Sequence, residues 1–135
     1  RHFAKLLNEA LHKVKGLRLC LAPKEINHAY YKYYVFVEPE KLKPNWNRDK
    51  ILKAIQAEGI PLNYGSNWAI GCEDVWQEVE TSLGRPISLK LPTPLPNDTS
   101  LGQTSLMFQI HPTLDNNNIE DTISAIRKIM TLASK

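Results

Sequence analysis

One short stretch constrains the fold of this chain more than any other. Leu106, Met107, Phe108 and Ile110 make an apolar run of strand length, and Pro112 stops it. Asp115 then offers a helix cap, and Ile119, Ile123, Ile126, Met130 and Ala133 recur along one helical face. A buried strand running into an amphipathic helix requires a core that both can share.

The rest of the sequence supplies partners for that core. Phe3, Leu6, Leu7, Ala10, Leu11 and Val14 have helical spacing, which predicts a helix over 1–15 stopped by Gly16. Leu17 to Leu21 is a short apolar run with the makings of a strand. Tyr30 to Glu38 is rich in aromatic and β-branched residues and reads as a strand. Asn47 caps a predicted helix over Arg48–Glu58, with Ile51, Leu52 and Ile55 on one face and Gly59 as its stop. Ile60–Tyr64 reads as another strand. Val75, Trp76, Val79 and Leu83 again have helical spacing. Arg85–Gly102 contains four prolines and is expected to be mostly irregular. The order predicts an α+β domain: a small sheet of about three strands, Tyr30–Glu38, Ile60–Tyr64 and Ser105–His111, with helices packed on one face.

At 135 residues the chain is one ordinary domain with room for a real core. A net charge of +3 neither demands nor excludes an anionic partner. Cys20 and Cys72 lie far apart and belong to no metal-type pair, so both read as reduced thiols of a cytoplasmic protein. No apolar run approaches the roughly 20 residues of a membrane helix. The chain opens at Arg1 almost directly in a helical pattern, which reads as a piece of a longer protein.

Few residues announce chemistry. There is no phosphate-binding glycine loop, nucleophile elbow or paired metal-ligand motif, and the four histidines show no ligand spacing. Tyr30, Tyr31, Tyr33 and Tyr34 around Lys32 have the aromatic content of a nucleic-acid stacking surface. Without clustered basic residues they read instead as a strand with one aromatic face in the core. The loop from Asn63 to Trp68 gathers amides, a hydroxyl and two rings after a strand end. That composition suits a sugar or nucleotide site, but an ordinary polar loop with Trp68 folded inward is the commoner case, because such sites are few per protein.

Several segments resemble, in order and spacing, the DegT/StrS family of sugar aminotransferases, which use pyridoxal phosphate. Leu101 to Leu114 resembles the family's "LGxTSLMFxxHPTL" segment. Arg1–Leu17 looks like the helix that opens its small C-terminal domain, and His28–Val35 is similar to its histidine- and tyrosine-bearing strand. Arg48-Asp49 through Gly59-Ile60-Pro61 resembles its "RD" to "GIP" stretch. Gly65-Ser66 matches one branch, but the Cys-x-Glu-Ile-Tyr run that follows there is replaced by Asn67-Trp68-Ala69-Ile70-Gly71-Cys72-Glu73.

The resemblance implies the small C-terminal domain of a fold type I enzyme, covering essentially the whole chain. The parent would be a homodimeric aminotransferase moving an amino group from an amino-acid donor to a nucleotide-linked keto sugar. Its products would serve polysaccharide or lipopolysaccharide synthesis. The cofactor lysine would lie in a large domain outside this chain. The fragment alone would then be inactive and hold no cofactor, metal, nucleic acid or membrane. Tyr64, Ser66, Asn67 and Trp68 are the expected substrate contacts, with His28 as a further candidate. The alternative is a stand-alone ligand-binding or regulatory α+β module.

Overall fold

A computed structural model describes residues 1–65, 84 and 95–135. The expected helix through Val75 and Leu83, Cys72 and the loop residues Ser66, Asn67 and Trp68 lie outside the described residues. The chain divides into two compact units: residues 1–65 with 104–135, and residues 66–103.

The first unit is an antiparallel sheet with helices against one face. Its strands are β1 (Leu17–Leu19), β2 (Lys32–Val37), β3 (Leu62–Tyr64) and β4 (Ser105–Gln109), in the order β1-β2-β4-β3. The three expected strands therefore share one sheet, and the apolar run at Leu17 adds a fourth at its edge. Register sets the faces. Tyr33 lies opposite Phe108, Val35 opposite Leu106, and Leu62 opposite Phe108. In β2 the alternate residues Tyr33, Val35 and Val37 are buried, and Lys32, Tyr34 and Phe36 are only partly so. A one-residue slip would exchange the two sets, so burial of one face specifies the pairing.

The helices α1 (His2–Leu11), α2 (Arg48–Ala57) and α4 (Asn116–Ala133) share a single apolar core with that face. The longest, α4, packs against both α1 and α2. Its start follows the sequence closely: Asp115 and Asn118 form a reciprocal capping box, with bonds of 2.8 and 3.0 Å. Asn47 caps α2 by accepting from the Lys50 amide at 2.9 Å. Gly59 ends α2 at φ +85°, with the Ile60 amide reaching back to the Ile55 carbonyl.

Strands β2, β3 and β4 are each shorter by one or two residues at an end than the expected runs Tyr30–Glu38, Ile60–Tyr64 and Ser105–His111, and two larger differences stand beside these. Helix α1 stops at Leu11 rather than Lys15, and Val14 and Leu17 close shorter three-residue turns onto Leu11 and Val14. The second difference is a helix, α3 (Pro96–Thr104), within the stretch expected to be irregular. Pro96 stands at its first position, where a missing N–H costs no helical bond, and Asp98 lies in the first turn. A proline read as a breaker is here a helix start.

Candidate functional site

Tyr64 ends β3 at the corner where β4 begins. It is paired with Leu106, and the next amide, Gly65 N–H, donates to the Ser105 carbonyl at 3.2 Å. Helix α2 reaches this corner because its Asn47 cap starts the helix beside it. Arg48, the first residue of α2, lays its guanidinium over the Tyr64 ring, with Cζ 4.2 Å from the ring centre. Its Nη1 donates to the same Ser105 carbonyl at 3.3 Å, and its Nε donates to Asp49 Oδ1 at 2.7 Å. The Arg48 side chain is only 11% exposed. A charge so far from water needs such partners, and a stack of this kind stabilises by about 0.5–2 kcal/mol. Asp49 also offsets the unfavourable placing of a cation at the positive end of the helix.

His28 sits in a second cluster. Tyr30 has φ +53°, a left-handed conformation that costs a non-glycine residue about 1–2 kcal/mol. Its surroundings hold it there. His28 Nδ1 accepts the Tyr30 amide at 2.9 Å, which leaves the proton of a neutral ring on Nε2. The His28 ring meets Tyr30 edge-on at 4.4 Å, and Tyr30 stacks on Tyr33 at 6.2 Å. Asn8 of α1 joins the two phenols: Tyr33 donates to its Oδ1 at 2.7 Å, and its Nδ2 donates to the Tyr30 oxygen at 3.5 Å. Burial, then the neighbouring Tyr30 and Cys20, push the Tyr33 phenol above its ordinary range, so it stays a protonated donor. Asn8→Ala orphans that hydroxyl and is expected to lower stability by about 1–3 kcal/mol. Tyr33→Phe in the Asn8→Ala background should add little, which urea unfolding of the single and double variants checks.

The structure does not bring Tyr64 and His28 together. Tyr64 lies beside Leu106 at the start of β4. His28 precedes β2, whose first residue Lys32 pairs with Gln109 at the other end of β4. The sequence placed both near substrate but carried no signal for this register. The residue that sequence reasoning missed is Arg48. Its Arg-Asp pair resembles the family's "RD", but the stack depends on how α2 packs on β3. A separate hollow of about 320 Å³ lies between Gly59–Pro61, Gln109 and the start of α4, lined by apolar groups with Asn118, Asp121 and Thr122. Neither Tyr64 nor His28 lines it.

Among the described residues, no three His, Cys, Asp or Glu side chains gather to hold a metal, and no helix is long and apolar enough to cross a membrane. Cys20 is a free, exposed thiol. The described lysines are all exposed except Lys32, which is half-buried. Lys128 is paired with Glu58, Lys41 with Glu38, and Lys43 with the Leu132 carbonyl.

No family model matches the chain, and no curated protein does. Solved structures do. An aminotransferase from Psychrobacter cryohalolentis is 30% identical with a TM-score of 0.77, over 97% of this chain and 33% of that one. A DegT DnrJ EryC1 StrS aminotransferase from Brucella abortus is 24% identical with a TM-score of 0.72, over 96% of this chain and 30% of that one. DesV of S. venezuelae, solved in complex with a ketimine intermediate, is 17% identical with a TM-score of 0.75, over 96% and 30%. The chain thus spans about a third of the length of the solved aminotransferases it matches. In fold, the chain is similar to about a third of these solved aminotransferases, one of them a DegT DnrJ EryC1 StrS aminotransferase.

Proposed function

We propose that this chain is the C-terminal domain of a longer pyridoxal-phosphate-dependent aminotransferase. The enzyme would transfer an amino group from an amino-acid donor to a keto sugar carried on a nucleotide, for polysaccharide or lipopolysaccharide synthesis in the cytoplasm. One observation carries the reading: aminotransferases about three times as long cover nearly the whole chain, at 30% identity in one case. The resemblance of Leu101–Leu114 to the family's segment supports the sugar-acting branch.

In this reading the parent is a homodimer, and pyridoxal phosphate is held by a lysine in the part of the enzyme outside these residues. The cofactor supplies the amino-transfer chemistry, and the protein supplies binding and orientation. The present domain covers the cleft and contacts the sugar through Tyr64, Ser66, Asn67 and Trp68. His28, at the far end of β4, would make a separate contact. A loop that departs from its relatives' pattern is where a changed sugar would be read, because specificity rests on a few placed polar contacts.

Two measurements test the proposal. Asn67→Ala and Trp68→Ala in the full-length protein are expected to lower kcat/KM for the keto sugar by about tenfold or more, the scale of one lost polar or stacking contact. The amino-donor half-reaction should change little. Equal effects on both would deny the loop a role in sugar recognition. Incubation of the 135-residue chain with pyridoxal phosphate and borohydride should give no stoichiometric mark on a single lysine by mass spectrometry. Such a mark would place the cofactor site within this chain.

The alternative, a stand-alone ligand-binding module, would use the hollow beside Gly59–Pro61. The full-length reading frame separates the two, since only the enzyme requires an upstream cofactor-lysine segment.

A further inference from the structure

We infer that Arg48 is a positioning residue for the proposed sugar site: its stacked guanidinium fixes Tyr64 and the Gly65–Ser105 closure at the corner of β3 and β4. The inference rests on the reading above and deepens it. Arg48 touches both chain segments at that corner. It covers the Tyr64 ring at 4.2 Å, and it shares the Ser105 carbonyl with the Gly65 amide, at 3.3 and 3.2 Å. Residues 66–103 form the second unit, so the chain leaves the first unit directly after Gly65 and rejoins it at Thr104. Both points of passage adjoin what Arg48 holds.

The corner is also tightly closed. A methyl group on Gly65 would stand 2.7 Å from Ser105 Cβ and 3.0 Å from the Tyr34 ring. Only glycine permits this approach, and the close approach brings the shared carbonyl within reach of Arg48. The guanidinium suits the task through its shape as well as its charge. It is planar, so one face stacks on the ring while its edge donates to Ser105 and Asp49. A lysine ammonium has no face to stack.

The test uses the full-length protein with Arg48→Met, Arg48→Lys, Tyr64→Phe and Tyr64→Ala. The first readout is hydrogen exchange of the Gly65 amide, with the β2 amides as a reference for the intact sheet. Arg48→Met, Arg48→Lys and Tyr64→Ala are expected to speed Gly65 exchange about tenfold while β2 stays protected. Tyr64→Phe keeps a ring under the guanidinium and should leave Gly65 exchange unchanged. The second readout is the split between half-reactions. Arg48→Met should lower kcat/KM for the keto sugar about tenfold and leave the donor half-reaction within about twofold.

Unchanged Gly65 exchange in Arg48→Met, or full restoration by Arg48→Lys, would overturn the stack as the holding element. A loosened corner with unchanged sugar kinetics would overturn the positioning role. If the wild-type protein aminates no keto sugar, the sugar reading fails by itself, and Gly65 exchange still decides what Arg48 holds.

Discussion

Ile126→Ala is expected to lower the free energy of unfolding by about 3–4 kcal/mol, near the middle of the range for truncating a buried isoleucine. Ile126 is fully buried in α4, the helix that packs against both α1 and α2. Its side chain fills space that no single neighbour can close, so alanine leaves a cavity as well as removing apolar surface. A domain of this size has about 5–15 kcal/mol of stability in all, so the loss would be a large share. Urea unfolding should show a lower midpoint with an unchanged slope. Ile126→Val should cost about 1 kcal/mol, because one methyl group leaves a smaller gap. A loss below about 1 kcal/mol for alanine would mean that α4 can settle onto the sheet, and that the core is not centred where the structure puts it.

That core was largely legible in the sequence, because period and caps are local signals. Asp115 with Ile119, Ile126 and Met130 placed α4 at its observed bounds, and Asn47 with Gly59 placed α2 to within a residue. The misses follow from non-local causes. The apolar run at Leu17 reads as a strand, but no local signal says that it joins this sheet by pairing its edge with β2. Pro96 has one local preference, for a fixed backbone angle, and that serves a helix start as well as an irregular turn. The candidate site was less legible still. Tyr64 could be named from composition, but the partner of its ring could not. Arg48 stands sixteen residues earlier in the chain, and only the packing of α2 on β3 brings the two together. His28 and Tyr64 looked like members of one site because sequence carries no register. The β2–β4 pairing sets them apart.

Gly16→Ala should be the most damaging of the small-residue changes, at about 2–4 kcal/mol, the sum of a backbone and a packing effect. Gly16 has φ +82°, which costs an alanine about 1–2 kcal/mol by itself. A Cβ there would also stand 2.9 Å from both Met130 Cε and Ser134 Oγ, and 3.3 Å from Leu42 Cδ2. Met130 is fully buried and cannot swing away without disturbing α4. Ser134 Oγ cannot retreat freely either, because it donates to the Lys15 carbonyl at 2.8 Å. The same turn supplies the Gly16 carbonyl that accepts the Glu38 amide at 2.9 Å, so relief in one direction strains the β1–β2 edge. Gly59 is the internal control. It has nearly the same φ, +85°, but an added Cβ would meet nothing within 4 Å. Gly59→Ala should therefore show the backbone effect alone, about 1–2 kcal/mol. The difference between the two variants in urea unfolding isolates the packing of the Gly16 turn against the end of α4. Equal losses at the two positions would show that the close approach at Gly16 relaxes at no cost, and that the turn does not anchor α4.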